Sequence, residues 1–254
     1  MKPAERLDLA KRRGIGDLFG DALGIYARNF ATVFAIGLAI VVPVQLIVSG
    51  IGLEELTSGY GENDSDAGLL VPVVSYLVVA PLIAAAAIHL LQRLANGERP
   101  HAGRSIQAGL DFFAPVFLAV LLAGLGTVLG LILLIVPGIY VAVRWYFVPQ
   151  AVVIDSARSS EALRASWRLT KGFWLRTFAT VLLANLAVAL PAVVLVLPFE
   201  ALAESADRQA IALAGMILTE ALTAPFIALV STLLFFDIRA RRTASDENQT
   251  ALPI

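Results

Sequence analysis

The chain has 254 residues, 58% of them hydrophobic and only 15% charged, with a net charge of -1 and a mean hydropathy of +0.80. A soluble domain is about a quarter charged, and a chain so poor in charge could not cover its apolar surface in water. The composition is that of an integral membrane protein and excludes a uniformly basic nucleic-acid binder; the lack of cysteine excludes a disulfide framework, thiolate metal sites and a cysteine nucleophile.

Residues 1–30 form a basic segment (Lys2, Arg6, Lys11, Arg12, Arg13, Arg28) in which Ile15, Leu18, Phe19, Ala22, Leu23 and Tyr26 follow helical spacing. An amphipathic helix is expected there, with Gly16, Gly20 and Gly24 letting it approach another backbone. Ala31–Leu53 carries no charge. It starts too late for a cleavable signal, whose apolar core is about 7–15 residues, and is predicted to be a retained span near 31–53. Further spans are predicted near 69–92, 112–134, 138–154, 177–199 and 210–236. The long uncharged run from Phe112 to Val143 is divided at Pro137-Gly138 because one crossing needs roughly 20 residues. Residues 31–237 thus form an all-α domain of six transmembrane helices, and 238–254 a disordered cytoplasmic tail.

Charge placement tests this count. Arg93, Arg99 and Arg104 mark the second connection, Arg158, Arg164, Arg168, Lys171 and Arg176 the fourth, and Arg239, Arg241 and Arg242 the tail. The alternate connections are acidic: Glu54, Glu55, Glu62, Asp64 and Asp66 in the first, Glu200, Glu204 and Asp207 in the fifth, with Arg208 the exception. The basic side stays cytoplasmic, which places both termini there and requires an even number of spans.

Three cytoplasmic segments share an order of short amphipathic stretch, aromatic pair or near equivalent, and span: Ile15–Tyr26 before Asn29-Phe30, Ser105–Asp111 before Phe112-Phe113, and Glu161–Lys171 before Phe173-Trp174. The returning spans each contain a proline, at Pro81, Pro149 and Pro225. This order predicts three parallel helix-plus-hairpin repeats. In the helix at 159–171, Ser159 or Ser160 caps the start, Glu161 charges the first turn, Leu163, Trp167 and Thr170 share one face, and Arg164, Arg168 and Lys171 lie one position round. Such a helix either lies in the interface beside anionic lipid or is a basic connector held by hydrophobic contact.

Two stretches within 137–174 carry a resemblance. Pro137-Gly138-Ile-Tyr-Val-Ala-Val-Arg144 leads into Val-Pro149-Gln-Ala-Val-Val-Ile-Asp155. Then follows Glu161-Ala-Leu-Arg164-Ala-Ser166-Trp167-Arg168-Leu-Thr-Lys171-Gly172-Phe173-Trp174. These residues resemble the bacterial six-span family of YciC-like proteins and the membrane domain attached to some glycerophosphoryl diester phosphodiesterases, although Asp155 stands where the family more often has glutamate and Ala165 where it often has a basic residue. The resemblance implies a helical domain of a bacterial plasma membrane. It does not imply hydrolysis, since His89 and His101 have no acidic cluster beside them in the sequence.

Ionisable groups inside spans are the place to look for chemistry. Arg144 and Glu220 lie at depths that would let spans four and six pair them, either as a substrate site or as a structural pair. Gln45, Gln150 and Asn185 are expected to bond between helices, and Gly126 and Gly130 to let helices meet. Pro43, Pro81, Pro149, Pro191 and Pro225 are expected to kink their spans. Asp155 and Asp237 sit at cytoplasmic span ends, Asp237 near Arg239, as solvated or paired groups. No Walker lysine motif, HExxH, GxSxG or dinucleotide fingerprint occurs. The expected function is non-enzymatic, with no metal or other cofactor. It is a lipid-linked or accessory role with membrane lipids, anionic ones first, and a protein partner or second copy. The alternative is a carrier or channel for a lipid or small amphiphile using Arg144 and Glu220.

Overall fold

The computed structural model describes residues 7–49 and 72–250. The acidic connection from Glu54 to Asp66, the ends of the first two predicted spans at 50–53 and 69–71, Lys2, Arg6 and residues 251–254 lie outside the described residues. Within them every regular element is helical: α1 (Ile15–Arg28), α2 (Phe30–Ser49), α3 (Pro72–Ala95, π-helical over Ser75–Val79), α4 (Ala102–Asp111), α5 (Phe113–Leu133), α6 (Ile135–Arg144), α7 (Val148–Asp155), α8 (Ser159–Thr170), α9 (Trp174–Ala206) and α10 (Gln209–Thr250).

Among the described residues, five helices are long and apolar enough to cross a membrane: Phe30–Val48 of α2, then α3, α5, α9, and Gln209–Ser245 of α10. The predicted fourth span is not one helix. Its residues form α6 and α7, of 10 and 8 residues, each shorter than the roughly 20 a crossing needs. Both pack back along α5. Gly130 lies against Gly138 and Gly126 against the Trp145 ring, while Val116, Ala119 and Val120 of α5 cluster with Val148, Ala151 and Val152 of α7. The small-residue pair of α5 thus serves contact within the chain. The break also falls elsewhere than expected. Leu134 alone links α5 to α6 in extended conformation, and Pro137 sits in the first turn of α6, where a missing N–H leaves no bond unmade.

Helix α10 is the centre of the bundle. It packs on α1, α2, α3 and α9, and its Leu229, Leu233, Leu234 and Ile238 are buried with Leu18 and Ala22 of α1, Val33 and Ile36 of α2, and Ile83 and Leu90 of α3. Pro225 cannot donate to the carbonyl four residues back. That carbonyl, of Ala221, lies directly against Gly37, where a Cβ would overlap it, and the neighbouring Leu222 carbonyl accepts from the Tyr26 hydroxyl at 2.9 Å. The proline therefore leaves the Ala221 carbonyl without its helical donor, packed against Gly37 of α2, while Tyr26 of α1 bonds the next carbonyl along. By contrast Gly16 and Gly20 meet nothing within 4 Å and Gly24 meets only Arg28, so the glycines of α1 do not serve a backbone approach.

The outer parts of α5 and α9 expose Leu129, Ile132, Leu133, Leu190, Val194 and Leu197, among others. Surface this apolar is far beyond what a soluble monomer tolerates, and it costs nothing against lipid tails.

The three short helices are docked on the bundle, α1 on α10, α4 on α3, and α8 on α7 and α5. Their most buried positions are small or polar as well as apolar: Leu18, Ala22 and Ile25 in α1, Ser105 and Gly109 in α4, Ala162, Ser166 and Thr170 in α8. The buried stripe of α8 is therefore one position off the Leu163–Trp167–Thr170 face. Its cap is Arg158, whose N–H is held by Glu161 at 3.1 Å, not Ser159 or Ser160.

Helix α10 continues past 237, so no element boundary falls there. Asp237, fully buried, gathers the basic groups around it. Arg176 Nε reaches its Oδ2 at 2.9 Å, Arg241 Nε reaches both oxygens at 3.1 and 3.0 Å, and the Arg13 N–H donates to Oδ1 at 2.7 Å. The Arg13 carbonyl in turn accepts from Arg176 and Arg241 at 2.6 and 2.7 Å. The carboxylate expected beside Arg239 is instead the knot that ties the N-terminal segment to α9 and α10. Arg239 pairs with Asp155 at 2.8 Å.

Candidate functional site: a cavity beside the broken helix

The chain leaves helical conformation at Trp145–Phe147, between α6 and α7. Pro149 explains the break, because its ring cannot donate to the Trp145 carbonyl and crowds it. Local bonds shift by one position: Tyr146 N–H goes to Val143 O and Val148 N–H to Trp145 O. Two groups are thereby orphaned, the Arg144 carbonyl and the Phe147 N–H. Ser166 of α8 serves both. Its hydroxyl donates to Arg144 O at 2.8 Å and accepts from Phe147 N–H at 3.1 Å. Thr170, one turn on, adds a longer bond to Arg144 O at 3.4 Å. Buried backbone polar groups need partners, and α8 supplies them here.

The Arg144 side chain, only 9% exposed, turns toward α8. Its guanidinium lies 4.9 Å from the Tyr140 ring centroid and 5.0 Å from that of Trp167, and it bonds to the Tyr140 hydroxyl and the Trp167 carbonyl at 3.0 and 3.2 Å. Trp174 donates to the Tyr140 carbonyl at 3.2 Å and stacks on its ring. The stretches at 137–144 and 161–174 thus close into one aromatic cage around an arginine. Gly172 has φ +85°, which explains glycine at the turn into α9.

The predicted Arg144–Glu220 pair does not form. Glu220 accepts from Gln45 Nε2 at 2.5 Å, and the same nitrogen bonds Ser75 Oγ at 3.2 Å, joining α10, α2 and α3. Of the three amides expected between helices, Gln45 and Gln150 do bond across, but Asn185 donates to Val181 of its own helix. Arg164 and Arg168 of α8 and Lys171 just past its end project exposed side chains, and the Lys171 carbonyl accepts from Arg242.

The break borders a cavity of about 450 Å³ between α3, α5, α6, α7, α9 and α10. Its walls are mostly alanine and branched aliphatic residues, with Trp145 and Tyr146 from the break and Tyr76 from the π-helical turn of α3. Binding sites for small molecules occupy about 300–1,000 Å³ and are mainly apolar with few polar groups. The polar groups here are Gln150, whose Nε2 donates to Ser231 Oγ at 3.0 Å, with Thr127 of α5 and Asn185 of α9 also on the wall. Sequence reasoning missed the cavity. The available signal was the set of small residues facing one another, Ala80, Ala84, Ala123, Ala142, Ala224 and Ala228.

Five long apolar helices among the described residues, with lipid-compatible surfaces and a mainly apolar cavity between four of them, define a multi-pass helical membrane protein. More particularly, residues 102–238 match the family described as "Domain of unknown function (DUF7847)", and the chain belongs to it. It is also 31% identical over 117 residues to a UPF0259 membrane protein of Pectobacterium carotovorum subsp. carotovorum (strain PC1). That alignment spans 45% of this chain and 47% of the relative, about half the length of each. These two matches support a bacterial membrane protein family, and neither supports the expected link to glycerophosphoryl diester phosphodiesterases. No solved structure matches.

Proposed function

We propose that this is a non-enzymatic protein of the bacterial cytoplasmic membrane with a lipid-linked role, holding an amphiphile in the cavity beside the broken helix. In this reading α6 and α7 together make the fourth of six crossings, both termini are cytoplasmic, and the recurring order of docked short helix and hairpin reflects three repeats. The observation that carries it is the cavity itself, an apolar chamber of about 450 Å³ with a small polar fringe between helices.

Filling the chamber tests this. Ala123 is nearly buried and lines it, so Ala123→Phe should occupy the space. Native mass spectrometry after gentle extraction should find one amphiphile on the wild type and none on the variant. Ala84→Leu serves as a second filler if Ala123→Phe lowers the unfolding temperature. Equal retention by wild type and both fillers, or none by the wild type, overturns the proposal.

The exposed Arg164, Arg168 and Lys171 are without a side-chain partner among the described residues, which favours anionic lipid headgroups as their partners. Each basic group near an anionic surface is worth about 1 kcal/mol. Replacing all three with glutamine should weaken association of the detergent-solubilised protein with phosphatidylglycerol vesicles about a hundredfold. Unchanged association would instead favour a protein partner or second copy on that face.

The runner-up is a carrier. The π-helical turn of α3 and the break at Trp145–Phe147 both border the cavity, and irregular turns of this kind often sit at functional sites. A carrier built here would work through the cavity, since Arg144 and Glu220 are each held by other residues. Flux of an amphiphile in proteoliposomes, lost in Ala123→Phe, would favour it over simple retention.

A further inference from the structure

We propose that the head of the bound amphiphile is uncharged and donates a hydrogen bond, as a long-chain alcohol or acylglycerol hydroxyl does, and that Gln150 Oε1 receives it. This rests on the cavity holding an amphiphile and adds the chemistry of its head.

Charge is decided by the walls. Among the described residues the lining contains no Asp, Glu, Lys, Arg or His. A carboxylate, phosphate or ammonium head would lose its water there without gaining a counter-charge, which is prohibitive in an apolar site. Neither Arg144 nor Glu220 lines the cavity, and each is already bonded elsewhere.

The donor is decided by Gln150. Its side chain is 2% exposed, lines the cavity, and has an Oε1 with no hydrogen-bond partner among the described residues. In the structure Gln150 presents Nε2 to Ser231 Oγ at 3.0 Å, and the Ser231 hydroxyl reaches the Ala228 carbonyl at 3.0 Å. The free end of the amide is therefore the acceptor. A buried acceptor left unpaired is expensive, and a ligand that supplies the donor recovers that cost. A site of this kind discriminates against an analogue that lacks the donating group.

The experiment uses the full-length, delipidated protein in detergent and four probes sharing one chain: oleyl alcohol, methyl oleate, oleate and oleylamine, the last two charged at pH 8. Native mass spectrometry in pairwise competition reads the preference. Oleyl alcohol should be retained about tenfold over methyl oleate, and over both charged probes by more. Gln150→Leu, whose unfolding temperature is checked alongside, should still bind but with alcohol and ester alike. Gln150→Glu, which places a carboxylate at the same point, should move the preference to oleylamine. Equal binding of alcohol and ester by the wild type, or an alcohol preference that survives Gln150→Leu, overturns the head assignment while leaving the cavity as an amphiphile site. Retention of none of the four by the wild type overturns the cavity reading and this inference together.

Discussion

Asp237→Ala should destabilise the protein by about 3–5 kcal/mol, the usual penalty for removing one partner of a buried ion pair. The carboxylate is fully buried and receives two guanidinium groups and a backbone N–H. Removing it leaves Arg176 and Arg241 facing each other across the Arg13 carbonyl with no anion between them. Their remaining bonds to that carbonyl cannot offset two like charges in a partly buried place. The loss is also topological. Arg13 stands 224 residues from Asp237, and the knot is what fastens the segment before α1 to the last helix. Thermal unfolding in detergent should therefore show a large fall in transition temperature, with protease cleavage before residue 15 appearing well below it. Asp237→Asn should fall between, since an amide oxygen still accepts but brings no charge. A variant Asp237→Ala that unfolds with the wild type would mean that α1 is held by its apolar contacts with α10 alone.

The fold was largely legible because hydropathy and charge report on the same boundary. The predicted spans near 31–53, 112–134 and 210–236 start within a residue or so of α2, α5 and α10. Positive charge at Arg13, Arg176 and Arg241 was legible as basic residues near the ends of apolar runs. That one aspartate collects two of these guanidinium groups and the backbone N–H of Arg13 was not, because nothing local links residues so far apart in the chain. The pairing of Arg144 with Glu220 failed for a definite reason. Equal depth at about 1.5 Å per residue says nothing of which way a side chain turns, and α8 docks beside Arg144 with closer partners. Arg144 then finds Tyr140 and Trp167 within reach and Glu220 finds Gln45. The charge was correctly seen as needing a partner, but its partners are aromatic rings, a hydroxyl and a carbonyl.

Ser166→Ala should cost about 2–5 kcal/mol, since each orphaned buried backbone group is worth roughly 1–3 kcal/mol. One hydroxyl closes both ends of the break: it donates to the last carbonyl of α6 and accepts the N–H that precedes α7. Alanine fits the space and supplies neither bond. Thr170→Ala is the informative comparison, because Thr170 contributes only the longer contact to Arg144 O and otherwise bonds carbonyls of its own helix. It should cost less than half as much. Hydrogen exchange separates the two further. The Phe147 amide should lose protection in Ser166→Ala and keep it in Thr170→Ala. Equal destabilisation by the two variants, or a Phe147 amide equally protected in both, would show that the break is closed by packing alone. The consequence reaches the cavity, since Trp145 and Tyr146 belong to the break and form part of its wall. If α8 holds that wall in place through Ser166, an amphiphile retained by the wild type should be lost from Ser166→Ala at temperatures where the bundle is still folded. The serine of α8 would then act as a positioning residue for a chamber that its own side chain does not line.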